Sequence, residues 1–200
     1  YDGPVPEDPV DRERLKTYCD PLPFWYKPLE QQRVDESEYP FAALTQRPMI
    51  MYHSWDSQNA WQRQILAQNY LYMNRQQAER MGIPDFGWAW LESHHGKVRV
   101  QVKHMEGTEP YTVWTYNAIG KQKGAWGLGS DATESNQGFL MNHIISELLP
   151  PKQGERPITN SDPITGQAAW FDLRVKITPA GADEEGTWPQ FPTIRELPGE

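Results

Sequence analysis

Two stretches of this chain hold side chains able to do recognition chemistry. The first runs Thr45-Gln46-Arg47-Pro48-Met49-Ile50-Met51-Tyr52-His53-Ser54-Trp55-Asp56-Ser57-Gln58-Asn59-Ala60-Trp61. Its amides, hydroxyls, guanidinium and imidazole follow an apolar run and lead into a helical pattern. A strand–loop–helix junction of that kind offers free backbone N–H groups, a positive dipole end and side-chain donors. Those suit a phosphate or the edge of a heteroaromatic ring. The second stretch is Asn160-Ser161-Asp162-Pro163-Ile164-Thr165-Gly166-Gln167. Asp-Pro and Thr-Gly mark tight turns there, just before the last strand, so that Gln167 points from the mouth of the barrel. Residues of these types also cap helices and close turns. For Ser57, Asn59 and Asp162 that reading is at least as good. For Arg47, His53 and Gln167 a ligand is the better reading.

A complete catalytic constellation is missing from the sequence. Of the five histidines, His53, His94, His95, His104 and His143, none falls in an HExxH or other tight metal spacing. His94-His95 falls at an expected hairpin tip and reads as solvent-facing. There is no phosphate loop of the Walker type, no GxSxG elbow and no GxGxxG. Gly124–Gly129 (GAWGLG) reads as a loop that comes close to a ligand or another domain. The single cysteine, Cys19, excludes an internal disulfide, a Cys-rich zinc site and a self-contained iron–sulfur cluster. No apolar run reaches the ~20 residues of a membrane span. Tyr1–Pro9, acidic and Pro-rich, does not read as a signal peptide. The formal charge of −8 over 200 residues argues against general nucleic-acid binding.

That charge lies at the ends. Residues 1–40 hold ten acids, five bases and seven prolines, and residues 178–200 hold five acids, one base and four prolines, so the middle is close to neutral. The sequence therefore divides into a Pro-rich acidic arm (1–40), a central domain (41–178) and a Pro-rich tail (179–200). Proline excludes helix interiors and central strands from the two ends. Aromatics such as Phe24, Trp25 and Tyr26 suggest arms that pack against something.

In the middle, Phe41–Thr45 and Met49–His53 read as a buried strand interrupted at Arg47-Pro48. Ser57–Gln68 reads as a helix with Ala60, Trp61, Ile65 and Leu66 on one face, capped by Asp56 or Ser57. Leu71–Met73 is a short strand, and a helical turn from Asn74 to Met81 is stopped by Gly82. Gly87–Glu92 and Lys97–His104 form a hairpin, because Val98, Val100 and Val102 alternate with Arg99, Gln101 and Lys103. Tyr111–Tyr116 is a strand, Gly138–Leu149 a helix, and Ala168–Ile177 a last strand with Phe171, Leu173, Val175 and Ile177 on one face. No internal repeat is visible. The fold class is mainly β with short helices, centred on a barrel.

The run TQRPMIMYHSWDSQNAWQRQI (Thr45–Ile65) resembles the C-terminal dinucleotide-binding domain of molybdopterin oxidoreductases of the dimethyl-sulfoxide-reductase family. The later order of GWAWLESHHGKVRVQVK, GFLMNHII and NSDPITGQAAWFDLRVKI is similar to it too. Within that family the chain looks most like the catalytic subunits of the sulfite dehydrogenase and polysulfide reductase group, with phenylacetyl-CoA dehydrogenase subunits close by. The resemblance implies a six-stranded double-psi β-barrel flanked by the Pro-rich arms. It also implies bis-molybdopterin guanine dinucleotide as cofactor, with molybdenum or tungsten. By position, Thr45, Gln46 and Arg47 resemble first-strand residues that contact pterin and pyrophosphate. His53 and Ser54 match a following His/Ser pair, Asn142 a residue at the nucleotide end, and Gln167 the polar residue before the last strand. The family's N-terminal cysteines and metal ligand have no counterpart here. An iron–sulfur cluster, together with subunits for electron transfer and for membrane anchoring, would belong to other polypeptide, and this chain alone would not turn over. The implied location is cytoplasmic, with a periplasmic one open. The alternative is a non-catalytic barrel that binds a protein or sugar through its tryptophans.

Overall fold

A computed structural model describes residues 3–56, 59–66, 68–117, 119, 139–152, 156–168, 173–181 and 184. Among them lie three α-helices: α1 (Pro9–Tyr18), α2 (Ala60–Ile65) and α3 (Arg75–Arg80). The strands are β1 (Phe41–Gln46), β2 (Leu71–Met73), β3 (Trp88–Glu92), β4 (Lys97–His104), β5 (Thr112–Tyr116), β6 (Leu148–Leu149), β7 (Ile158–Thr159) and β8 (Leu173–Pro179). β6 and β7 pair as a separate ribbon. The other six close into a barrel in the order β1-β5-β2-β4-β3-β8.

Two neighbouring pairs, β1 with β5 and β2 with β4, are parallel, and the rest are antiparallel. Exchanging β1 with β4, β2 with β5 and β3 with β8 leaves every neighbour relation unchanged. The ring is thus the double-psi barrel, two-fold in topology though the sequence shows no repeat. Phe41, Leu71, Leu91, Val98, Val100, Val113, Leu173 and Val175 point inward and are nearly or wholly removed from solvent. Alternation produces this: one side of each strand fills the barrel and the other faces out.

Register fixes the two ends. β1 finishes at Gln46, opposite Tyr116 of β5, and β2 starts beside them. The β3–β4 turn and the entrance to β8 lie at this same end. Consequently the chain from 47 to 70 and the chain from 117 to 172 both leave from and return to one end, called here the upper end. The lower end carries the α3 connection and the short link from β4 to β5, and there the arm enters β1 and the chain leaves β8.

Local chemistry accounts for the helices. In α1, Pro9 takes the first turn and the Asp8 carboxylate accepts from Val10 N (2.8 Å) and Asp11 N (3.3 Å). The N-terminal arm is therefore not free of helix: its proline sits where no N–H is needed. Asn74 caps α3, and Gly82, at φ +72°, ends it with Ile83 N donating to Ala78 O.

Three expectations fail for identifiable reasons. Met49–His53 is no strand: Pro48 lacks an N–H for the ladder, the chain turns at Met49-Ile50, and His53 takes φ +50° at the start of a 3-10 turn, His53–Trp55. The helix expected over Ser57–Gln68 is only α2, capped by Asn59, and none of its residues is buried. The helix expected over Gly138–Leu149 is a 3-10 turn, Met141–Ile144, followed by β6. Its carbonyls are committed elsewhere, since Phe139 O accepts from Asn69 Nδ2 (3.3 Å) and Ile144 O from Ser93 Oγ (2.5 Å). The hairpin and β5 lie close to where the pattern placed them, and β8 runs from Leu173 to Pro179. Phe171 and the Gly124–Gly129 loop lie outside the described residues.

The arm packs back onto the molecule. Tyr18 and Leu29 form a second apolar cluster with Leu149 and Ile158. Among the described residues no helix is long and apolar enough to cross a membrane.

Candidate functional site

β1 delivers Thr45, Gln46 and Arg47 to the upper end in that order. Thr45 is buried at 8% exposure, opposite Thr115, whereas Gln46 and Arg47 are exposed. The Gln46 carbonyl accepts from Asn117 N (2.9 Å), so the backbone is pinned while both side chains stay free of any described partner. Beyond Pro48, buried Met51 anchors the loop. Gln62 Nε2 donates to Ile50 O (2.7 Å), and Tyr52 N donates to the Asp56 carboxylate (2.7 Å). These ties hold His53, half-buried, with its ring 5.4 Å from that of Tyr52. Ser54 follows it within the 3-10 turn.

Asn142 reaches the same end by another route. Asn69, at 1% exposure, donates to Tyr116 O (2.9 Å) and Phe139 O (3.3 Å), and its Oδ1 accepts from Thr115 Oγ1 (2.8 Å). Ser93 then holds Ile144. The segment carrying exposed Asn142 is thereby stretched from the end of β5 to the β3–β4 turn.

Gln167 lies in the connection that enters β8 from the upper end, but its surroundings belong to the arm. Asp162 N donates to Gln167 O (2.7 Å), Asp162 Oδ1 accepts from Ile164 N (3.0 Å) and Thr165 N (2.6 Å), and Tyr26 Oη donates to Asp162 Oδ2 (3.3 Å). These hydrogen bonds, led by that of Thr165 N, hold the Asp162 carboxyl below the usual aspartate range. A concavity of about 480 Å³ beside this turn is lined by Asp11, Arg14, Thr159, Ser161 and Asp162 among others, and includes none of Arg47, His53 and Asn142. The fold thus gathers Thr45, Gln46, Arg47, His53, Ser54 and Asn142 onto elements of one end. Gln167 stands in the connection that enters β8 from the same end, in a turn closed on the arm.

The sequence reading missed the residues that do the positioning. Asn69 and Thr115 carried no motif. Nor did Asn117, whose buried Oδ1 has no partner at the mouth of the barrel. Glu30 was missed too: 1% exposed, it accepts from Arg174 N (2.8 Å) and Asn160 Nδ2 (3.2 Å). His94 is not solvent-facing as expected. Its side chain is 12% exposed, with Nδ1 3.7 Å from Glu30 Oε1. Burial, and next the charge of His94, hold the His95 imidazole below its ordinary pKa.

As a donor set, the upper end offers an uncommitted guanidinium, exposed carboxamides and an unpartnered buried carboxamide oxygen. Arginine binds phosphate through a charge-assisted fork, and carboxamides match the mixed donor–acceptor edge of a purine. A nucleotide-bearing cofactor fits that set. Among the described residues no group of three or more His, Cys, Asp or Glu side chains could hold a metal ion.

Comparison with known proteins gives the family. Residues 41–157 match the family model described as "Molydopterin dinucleotide binding domain". A sulfite dehydrogenase subunit of Allochromatium vinosum is 55% identical over 190 residues, covering 94% of this chain and 20% of that protein. Acetylene hydratase of Syntrophotalea acetylenica is 30% identical over 97 residues, covering 46% of this chain and 13% of that protein. The solved structure of acetylene hydratase from Pelobacter acetylenicus superposes with a TM-score of 0.57 at 18% identity, over 82% of this chain and 22% of that one. The chain spans a fifth or less of the length of the curated relatives it matches.

Proposed function

The chain belongs to the molydopterin dinucleotide-binding domain family, and from that premise we propose that it grips the cofactor within a larger two-electron oxidoreductase acting on a sulfur compound such as sulfite or polysulfide. The observation that carries the reading is the similarity to the Allochromatium sulfite dehydrogenase along nearly the whole chain. In this reading the domain is the barrel of residues 41–178, and the cofactor is the guanine dinucleotide form with molybdenum or, in its place, tungsten. When bound, the metal–pterin group supplies the redox chemistry; the residues here bind and orient it. Arg47 takes a phosphate, Thr45 and Gln46 flank it, His53 and Ser54 close over the adjacent tail, and Asn142 meets the base. Gln167 contributes from the turn before β8. Iron–sulfur clusters, and the subunits for electron transfer and membrane anchoring, belong to other polypeptide, in a cytoplasmic enzyme.

The test uses the whole protein with Arg47→Ala. Loss of a charge-assisted donor, worth about 1.5–3 kcal/mol, lowers cofactor affinity about tenfold or more. Molybdenum and releasable GMP per protein should fall together. Since Arg47 bonds nothing within the described chain, the melting temperature of the 200-residue chain should not move. Unaltered metal and nucleotide content in the variant would remove Arg47 from the site.

A further inference from the structure

The outward wall of β4 holds a row of cationic side chains. Lys97, Arg99 and Lys103 alternate with the inward valines, and each lies over a ring. Lys97 Nζ is 4.7 Å from the centre of Trp90, Arg99 Cζ 4.5 Å from that of Trp88, and Lys103 Nζ 5.5 Å from that of Tyr70. None of the three makes a salt bridge with a described residue, in a chain whose formal charge is −8. Arg99 is 8% exposed and its buried Nε has no hydrogen-bond partner. A guanidinium withdrawn from water with a free N–H is costly unless something answers it.

The chain itself shows what answers it. After β8 the backbone folds back, and Trp90 Nε1 donates to Glu184 while Gly181 N donates to the same carboxylate (2.8 Å). These bonds, Gly181 first, and then the charges of Arg99 and Lys97, hold the Glu184 carboxyl below its ordinary range. One carboxylate therefore rests on a strip of half-buried rings and lysines around the buried Arg99. Ring contacts keep the cationic ends in place, which reduces the entropy lost when a ligand arrives.

We propose that the strip formed by Trp88, Trp90, Lys97, Arg99 and Lys103 is a docking surface for an extended acidic segment of a partner chain, with Glu184 holding its first carboxylate position. Charge complementarity identifies the occupant as acidic. Spacing identifies it as extended: alternate residues of a strand repeat about every 6.5–7 Å, so Lys97 and Arg99 stand one such step apart and Lys103 two steps on, past Gln101, matching acids along an extended peptide. The inference does not depend on the cofactor reading.

A short synthetic peptide alternating Glu and Ser, added to the 200-residue chain, tests it, with the Trp90 indole N–H followed by NMR. Glu184→Ala, which removes the internal competitor, should bind the peptide about two- to fivefold more tightly than the parent chain. Lys97→Gln and Lys103→Gln in that background should each weaken binding by about the same factor, the range of single exposed ion pairs. Added salt should weaken it further. Both lysines lie on the outward side of the barrel, so these variants keep the fold where Arg99→Gln could lose it. Equal binding of a Gln-Ser peptide, absence of binding by Glu184→Ala, or unchanged affinity in Lys97→Gln would overturn the proposal.

Discussion

Tyr72 shows how an outward side chain becomes a buried one. It stacks on Trp114 at 4.0 Å between centres, nearly parallel, with Tyr116 edge-on at 5.7 Å. Desolvation, with neighbouring Tyr116 and Tyr70, pushes its phenol up from 10.0 to about 12. An acid whose folded pKa exceeds its unfolded one favours folding while it is protonated. The contribution is complete below about pH 10 and is lost as pH rises toward 12. In Tyr72→Phe the alkaline fall of the urea midpoint should therefore be smaller than in the parent chain. Arg47 is the opposite case, exposed and bonded to nothing described. That makes it legible in sequence, because a guanidinium after a strand and before a proline has few structural uses. The Glu30 carboxylate was not legible: its bonds reach residues 160 and 174, and no local pattern records so distant a partner.

Segments whose structure is decided by their own pattern were readable, and those decided by distant hydrogen bonds were not. The β3–β4 hairpin follows from alternating valines and a four-residue turn closed by Ser93 N to Gly96 O at 2.9 Å. Residues 139–149 look helical by composition, yet Asn69 and Ser93 take the carbonyls that a helix would need. Asn69→Ala should uncouple this segment. It orphans Tyr116 O and Thr115 Oγ1 at a buried site, costing about 1–3 kcal/mol. Hydrogen exchange should then speed up at His143, whose amide bonds Leu140 O at 3.1 Å, more than at the inward strand amides of β4. Equal acceleration throughout would mean that Asn69 serves global stability alone. In α2 the helical spacing was sound, but Trp61 is 78% and Ile65 72% exposed. Periodicity shows which residues share a face and is silent on what covers it.

The chain as a whole joins a barrel with all its long connections at one end to an arm that clamps the side near that end. Glu30 is the clamp's polar centre, reaching β8 through Arg174 N and the β7 connection through Asn160. The Arg174 guanidinium answers by donating to Tyr39 O (3.1 Å) and Pro40 O (2.7 Å). Glu30→Ala leaves two buried donors unpaired at about 1–3 kcal/mol each, and in a chain of this size each kcal/mol lowers the melting midpoint by about 2–4 °C. Calorimetry should find that fall, with Glu30→Gln recovering part of it. An unchanged midpoint would make the arm an ornament. The barrel was legible from strand count and alternation, and its identity from the family resemblance. The clamp was hidden because proline suggested an arm with no regular structure, whereas Pro9 starts a helix.

Because each barrel strand already has a neighbour on both sides, its main-chain ladder offers nothing to a visiting β-segment. Edge-to-edge augmentation, the commonest accident of open sheets, is closed to the barrel. Whatever polypeptide it meets there must be recognised through rings, amides and charges, so the specificity of such an encounter can change one side chain at a time without disturbing the hydrogen-bonded ring beneath.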